Sequence, residues 1–299
     1  MKFEQIGLIG CGEVGRIFAA GIKAQAGVSA VGAWDLQFAN PEGRAAVAPH
    51  AAQAGVKLHD SCKALCDASE LVISAVTASN TLAVAEEAAQ HLRLGAVFLD
   101  FNSASPGTKQ RCAALVEVRG AHYVEAGVMT SVPPHGIKTP MLLGGPQAAA
   151  LALLLTGWGM DATAVSEKLG VASAIKMCRS VMIKGLEALV IESFATARAY
   201  GVEGHVLRTL VETFPSIDWD KQGAYFFSRV AQHGQRRAEE MREAANTVRE
   251  AGIEPLMATA IADKQQWVAD QARAGVFAGV GKDACWQDYA DELLASRML

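Results

Sequence analysis

The run Gly7-Leu8-Ile9-Gly10-Cys11-Gly12-Glu13-Val14-Gly15 sets glycines at Gly10, Gly12 and Gly15, directly after an apolar segment and directly before a helical one. Each glycine of such a G-x-G-x-x-G turn has a physical task. Gly10 permits the tight bend, Gly12 lets a pyrophosphate approach bare backbone, and Gly15 lets the helix pack onto a sheet. The helix start at Cys11, Glu13 and Val14 adds N–H donors and the positive end of the helix dipole. The chemistry expected is dinucleotide binding. Asp35 stands twenty residues after Gly15, at the end of the next apolar run. A carboxylate there accepts hydrogen bonds from ribose hydroxyls and repels a 2′-phosphate, so NAD is expected in preference to NADP. Leu36 and Gln37 follow it, and Arg44 lies farther on where it is able to fold back.

A second group of reactive residues falls on one helical stretch. With Lys176 at zero on a wheel of about 100° per residue, Ser180, Lys184 and Glu187 fall within about 80° of it. The rest of that stretch is mostly apolar. A lysine at the edge of a dry cleft becomes useful for proton transfer. Lys184 has two readings, substrate binding or a pair with Glu187 at i,i+3. A third group is His233-Gly234-Gln235-Arg236-Arg237-Ala238-Glu239-Glu240-Met241, where His233, Arg237 and Glu240 share a helical face. Arg237 is expected to clamp a substrate carboxylate; the competing reading is a solvated face with intrahelical ion pairs. Trp219, Tyr225, Phe226 and Phe227, just before this run, read as core or dimer contact.

These groups need a scaffold, and the pattern supplies one. Up to about residue 165, short β-like runs (Ile6–Ile9, Val28–Trp34, Leu71–Val76, Ala96–Asp100, Ala121–Val124, Met141–Leu143, Ala162–Val165) alternate with helical segments (Val14–Ala24, Asn80–Leu92 and one opened by Pro106). Such alternation predicts an α/β domain with a mainly parallel sheet of the Rossmann type. After Gly170 the β signal stops. One long helix is expected over Ala172–Tyr200, ended by Gly201, then helices over Glu203–Phe214, Gln232–Ala251, Leu256–Ala274 and Lys282–Met298. The expected domains are 1–167, binding the nucleotide, and 168–299, all helical and joined to the first by the long helix.

In this order the motifs resemble the β-hydroxyacid dehydrogenase family, whose members include 3-hydroxyisobutyrate and 6-phosphogluconate dehydrogenases. The distal half looks closer to a branch with an uncharacterised C-terminal domain. Besides the glycine run, three segments carry the likeness. Ser74-Ala75-Val76-Thr77-Ala78-Ser79-Asn80 matches the loop that the family sets beside the nicotinamide ribose, which implies cofactor contacts from Ala75, Val76 and Thr77. Asp100-Phe101-Asn102-Ser103-Ala104-Ser105-Pro106 matches a run whose polar residues hold the substrate carboxylate, implying Asn102 (toward cofactor and substrate) and Ser103. Gly170-Val171-Ala172-Ser173-Ala174-Ile175-Lys176 matches G-x-x-x-A-x-K, whose lysine is the family's catalytic acid/base.

Two departures stand out. Where the family usually reads D-A-P-V-S-G-G, this chain has Glu125-Ala126-Gly127-Val128-Met129-Thr130-Ser131, followed by the proline-stiffened Val132–Gly136. Ser180 stands where the family often has asparagine four residues after the lysine. The resemblance then implies a substrate pocket lined by Met129, Thr130, Ser131 and Ser180, rebuilt for a small anion other than the usual acids. The activity implied is hydride transfer between NAD(P) and the CH–OH or C=O carbon of a hydroxyacid-like anion. An imine or keto reductase and a non-catalytic NAD(H) sensor are the other readings of the same scaffold.

Composition narrows the classes further. The chain has 299 residues, 51% hydrophobic and 19% charged, with a net charge of -4. That is enough apolar material for a large core, and no basic field marks a nucleic-acid partner. The apolar stretch Ala148–Leu155 is far shorter than the roughly 20 residues of a membrane span. No Cys/His spacing suits zinc, so no metal is expected, and the 6 cysteines read as reduced, mostly buried thiols. Met1-Lys2 leads almost at once into a strand-like run, so a cytoplasmic protein is expected. The Ala- and Leu-rich helical half predicts a homodimer.

Overall fold

The computed structural model describes residues 1–296. Its first part is a sheet of eight strands: β1 (Gln5–Ile9), β2 (Ala30–Trp34), β3 (Lys57–Leu58), β4 (Leu71–Ser74), β5 (Val97–Asp100), β6 (His122–Val128), β7 (Met141–Gly144) and β8 (Ala162–Ser166). They lie in the order β3-β2-β1-β4-β5-β6-β7-β8. All neighbours run parallel except β6 and β7, which are antiparallel. Strands β4 and β5 are buried along their whole length, as expected of strands covered on both faces. Between the strands lie α1 (Glu13–Lys23), α2 (Pro41–Ala54), α3 (Cys62–Asp67), α4 (Thr81–Ala89), α5 (Pro106–Glu117) and α6 (Ala148–Gly157). The chain thus has the mainly parallel α/β domain its pattern predicts. The strand order reverses at β1 and β4, the kind of switch point where such sheets open a crevice at the carboxyl ends of their strands.

The remaining helices are α7 (Val171–Tyr200), α8 (Glu203–Thr213), α9 (Trp219–Glu250), α10 (Leu256–Arg273) and α11 (Trp286–Ala295). The chain divides into two compact units, Met1–Met177 and the part from Cys178 onward, so the division falls inside α7. The first unit packs around Phe18, Phe98, Tyr123, Leu143 and their neighbours on the sheet. The second packs around Phe194, Trp219, Phe227, Val230, Trp286 and Tyr289.

Several elements differ from expectation. The segment Pro41–Ala54 forms a helix and Lys57–Leu58 an edge strand, neither of which stands out in the sequence. Helix α9 starts at Trp219 and not near Gln232, so the His233–Met241 run is mid-helix. The reason is packing. Gly223 and Gly234 weaken the local helix signal, yet each is a contact point: a Cβ on Gly223 would meet the Phe194 ring at 2.9 Å, and one on Gly234 the Gln265 carbonyl at 2.8 Å. Tertiary contact outweighs the roughly 1 kcal/mol that glycine costs in a helix interior. Helix α11 begins at Trp286, after Lys282, and Met298 lies outside the described residues. Among the described residues no helix is long and apolar enough to cross a membrane.

Candidate functional site

The turn from β1 into α1 is built as its glycines require. Gly10 has φ +97° and donates its N–H to Trp34 O at 2.9 Å. A Cβ there would collide with the Ala75 carbonyl, and one on Gly15 would collide with the Gly10 carbonyl. Gly12 is the opposite case. Nothing lies within 4 Å of where its Cβ would stand. It is the N-cap of α1, with no side chain capping the helix. Bare backbone, open space and free helix N–H groups together fit a dinucleotide pyrophosphate.

Asp35, at the end of β2, ties this turn down. One carboxylate oxygen accepts from Cys11 N at 2.6 Å and the other from Gln37 N at 2.9 Å. Burial, then the nearby Asp35 charge, push the Cys11 thiol up to about 11, so it stays protonated at neutral pH. Arg44 does not turn toward Asp35. Its guanidinium pairs with Asp60 at 2.5 Å and lies 5.9 Å from the centre of the Phe38 ring.

The next two loops are joined to each other. Ala75 N donates to Ile9 O at 2.8 Å, and Val76 N donates to Asn102 Oδ1 at 2.7 Å. Asn102 Nδ2 donates to Ser74 Oγ at 2.9 Å, while its own N–H reaches Asp100 Oδ1 at 2.8 Å. Asn102 is buried with both ends of its amide engaged. Asn102 thus ties the Val76 loop to the end of β4. Ser103 beside it is half-buried, and Thr77 is exposed.

Beneath Asn102 lies a network that sequence reasoning missed. Asp100 Oδ1 pairs with Lys109 Nζ at 3.0 Å, and Tyr123 Oη donates to Asp100 Oδ2 at 2.6 Å. All three side chains are essentially sealed from solvent. Burial, and then the Asp100 charge, hold the Tyr123 hydroxyl well above its usual range. The available signal was Lys109 itself, a charge next to Thr108 and Cys112 on the buried face of α5.

Residues Glu125, Ala126 and Gly127, read as the start of a substrate loop, are instead part of β6. Met129 and Ser131 just beyond are half-buried, Thr130 is exposed, and Met129 N donates to Pro140 O at 2.9 Å. Lys176, half-buried on α7, has its Cβ 3.4 Å from where a Cβ on Gly127 would sit. Gly127 is the penultimate residue of β6. The glycine turn follows β1, Val76 follows β4, Asn102 follows β5, and Lys176 packs at the end of β6. Because these strands are parallel, all four share the carboxyl edge of one sheet within one compact unit.

The polar residues farther along α7 are already engaged. Ser180, Lys184 and Glu187 are buried. Lys184 pairs with Glu240 at 2.8 Å and donates to Ser180 Oγ at 3.3 Å, so its partner is not Glu187. Arg237, expected to clamp a substrate, is buried; its Nε donates to Glu187 Oε2 at 2.9 Å and its Nη2 pairs with Glu187 Oε1. Placing Arg237 mid-helix in a packed bundle leaves a carboxylate of α7 as its nearest acceptor. Ser180, Lys184 and Arg237, expected to contact substrate, thus stand in internal pairs in this structure. Trp219 and Phe227 are core, Phe226 packs against that core, and Tyr225 is exposed. All 6 cysteines are free, with Cys178 and Cys285 exposed and the others buried.

Residues 5–154 match the family described as the NAD binding domain of 6-phosphogluconate dehydrogenase, and residues 197–268 match a domain of unknown function, DUF1932. A conserved hypothetical protein from Sinorhizobium meliloti is 37% identical, with 99% of this chain and 96% of that one covered and a TM-score of 0.76. The conserved protein MTH1747, described as similar in structure to 3-hydroxyacid dehydrogenases, is 30% identical over 90% of this chain and 98% of its own, with a TM-score of 0.68. The fold is shared with 3-hydroxyisobutyrate dehydrogenase of Mycobacterium tuberculosis (16% identity, 98% and 99% covered, TM-score 0.69). It is also shared with a reductive aminase from Aspergillus terreus solved with NADPH and ethyl levulinate (19% identity, 92% and 95% covered, TM-score 0.56).

Proposed function

The chain belongs to the family built on the NAD binding domain of 6-phosphogluconate dehydrogenase, and from that premise we propose that it interconverts a small hydroxyacid-like anion and its carbonyl form, with Lys176 as acid/base. Family and fold are those of NAD(P)-dependent oxidoreductases. One observation carries the finer reading: the uncapped glycine turn and the Lys176 turn of α7 share one edge of one sheet.

The bound nicotinamide supplies the hydride acceptor in oxidation and the donor in reduction. The α1 N–H groups around Gly12 hold the pyrophosphate. Asp35 would accept from the ribose hydroxyls while keeping its bond to Cys11, and the Ala75–Thr77 loop, fixed by Asn102, would hold the nicotinamide end. Neutral Lys176 takes the hydroxyl proton during oxidation, and its ammonium returns that proton during reduction. Ser103, Met129, Thr130 and Ser131 border the substrate. NAD is preferred over NADP, because Asp35 repels a 2′-phosphate and Arg44 is held by Asp60.

The test follows absorbance of NADH in the presence of NAD⁺ and a panel of hydroxyacids. Lys176→Ala is expected to lower turnover about 10²–10⁴-fold with NADH affinity unchanged. Near-normal turnover in that variant rejects the lysine mechanism. We also propose a homodimer. Ile175, Met182, Leu186 and Leu189 form an exposed apolar stripe on α7 that a second copy would cover. Light scattering at micromolar concentration checks it, and a monomer there rejects it.

A further inference from the structure

Glu125 has no place in the mechanism above, yet it is completely buried and its carboxylate reaches another element. Oε1 accepts from Gly170 N at 2.7 Å and from Ala172 N at 3.1 Å, and Oε2 accepts from Ser173 N at 3.3 Å. These are the N–H groups that the first turn of α7 cannot satisfy within the helix. A carboxylate here also meets the positive end of the helix dipole. Glu125 is thus a helix cap supplied from a strand forty-five residues upstream of Gly170.

Two small residues make this reach possible. Gly144 on β7 is the cross-strand neighbour of Glu125, and a Cβ there would collide with Glu125 Oε1 and meet its Cγ at 3.0 Å. Gly127 lies two residues along β6, on the same face as Glu125. A Cβ on it would stand 3.0 Å from Ala172 O and 3.4 Å from Lys176 Cβ. The strand therefore touches α7 twice, by a charged cap at its first turn and by bare backbone under Lys176.

We propose that Glu125 is the positioning residue for Lys176, setting the height and rotation of the α7 first turn over β6 and so the place of the amine at the carboxyl edge of the sheet. This rests on the reading of Lys176 as acid/base. Glu125 touches none of the reacting groups and acts only through the helix. Glu125→Gln tests it gently, because its one remaining carbonyl oxygen still accepts from Gly170 and Ala172 while the acceptor for Ser173 and the charge are lost. Gly127→Ala tests the second contact with the carboxylate intact, since its Cβ must push α7 away by a few tenths of an ångström.

Misplacement of a reacting group by about 1 Å costs up to about 10²-fold in rate, so kcat is expected to fall about tenfold in Glu125→Gln and about three- to fivefold in Gly127→Ala. KM for NAD⁺ and NADH affinity stay within about twofold, because the glycine turn is untouched. A readout without substrate is the methyl resonance of reductively methylated Lys176, assigned by its loss in Lys176→Arg. It is expected to move in both variants, and amide exchange at residues 170–176 is expected to quicken about tenfold in Glu125→Gln. Wild-type kcat with an unmoved Lys176 resonance in Glu125→Gln overturns the proposal. If Lys176→Ala keeps full turnover, the acid/base reading fails instead, and the resonance alone decides whether Glu125 positions the amine.

Discussion

In the first compact unit, Asp35, Asp100 and Glu125 accept hydrogen bonds from backbone N–H groups of Cys11, Asn102 and the first turn of α7. In the second unit, Arg237 with Glu187 and Lys184 with Glu240 join side chain to side chain between helices. The first arrangement fixes where loops and a helix end lie, so each carboxylate acts on the backbone around a site. The second fixes which helix faces meet. A buried charge identified on a helix face is therefore no guide to a ligand until the acceptors on neighbouring helices are known.

The largest effect should come from splitting one charge out of each kind of arrangement. Asp100→Asn leaves Lys109 buried without its counter-charge, and a loss of about 3–5 kcal/mol of stability is expected by urea unfolding. Arg237→Met should cost a similar amount, since Glu187 is then stranded. The units part company in the double variants. Arg237→Met with Glu187→Leu is expected to recover to within about 1 kcal/mol of wild type, because buried ion pairs are often replaceable by apolar groups. Asp100→Leu with Lys109→Leu should stay well below wild type, because Asn102 N–H and Tyr123 Oη also lose their acceptor. Equal recovery in both units would remove the distinction.

Next in size is Asn102→Ala. It leaves Val76 N–H without its acceptor, at about 1–3 kcal/mol, and is expected to weaken NADH binding about tenfold as the Ala75–Thr77 loop loosens. Fluorescence titration with NADH measures it. Asp35→Ser should lower the NAD-over-NADP preference by about tenfold, loss of a hydrogen bond to a charged group being worth about 1.5–3 kcal/mol. Competition of the two cofactors in the same titration reads the ratio. The smallest effect is kinetic. With its thiol raised to about 11 and buried, Cys11 should be alkylated by iodoacetamide far more slowly than exposed Cys178 and Cys285 at pH 8. For the same reason Cys11 should contribute stability below pH 9 that is lost as pH rises from there toward 11, since the unfolded chain ionises first.

Much of this was legible in the residues. The glycine run needed only local geometry, because Gly10, Gly12 and Gly15 answer to a single turn between one strand and one helix. Asp35 was legible for the same reason, as the spacing from Gly15 to the end of β2 is one β-α-β unit. Lys176 stood out through its motif and its helix wheel. The bonds of Asn102 to Val76 and Ser74, and of Arg237 to Glu187, were not legible, because a motif or a wheel says which residues share a face and nothing about what that face meets. Lys109 and Tyr123 were missed, and Glu125 was read as the start of a loop, because the Asp100 carboxylate and the first turn of α7 that they bond lie on other elements.

The order of apolar runs, turns and glycines by itself determined a parallel α/β unit that binds a dinucleotide, followed by helices. Those signals are local, repeating with the period of a strand or a helix. Only the tertiary structure decided what each buried charge holds, that β6 caps and carries α7, and that α9 runs through two glycines. Such partners lie tens of residues apart along the chain, and no periodicity within one element encodes the distance between two of them.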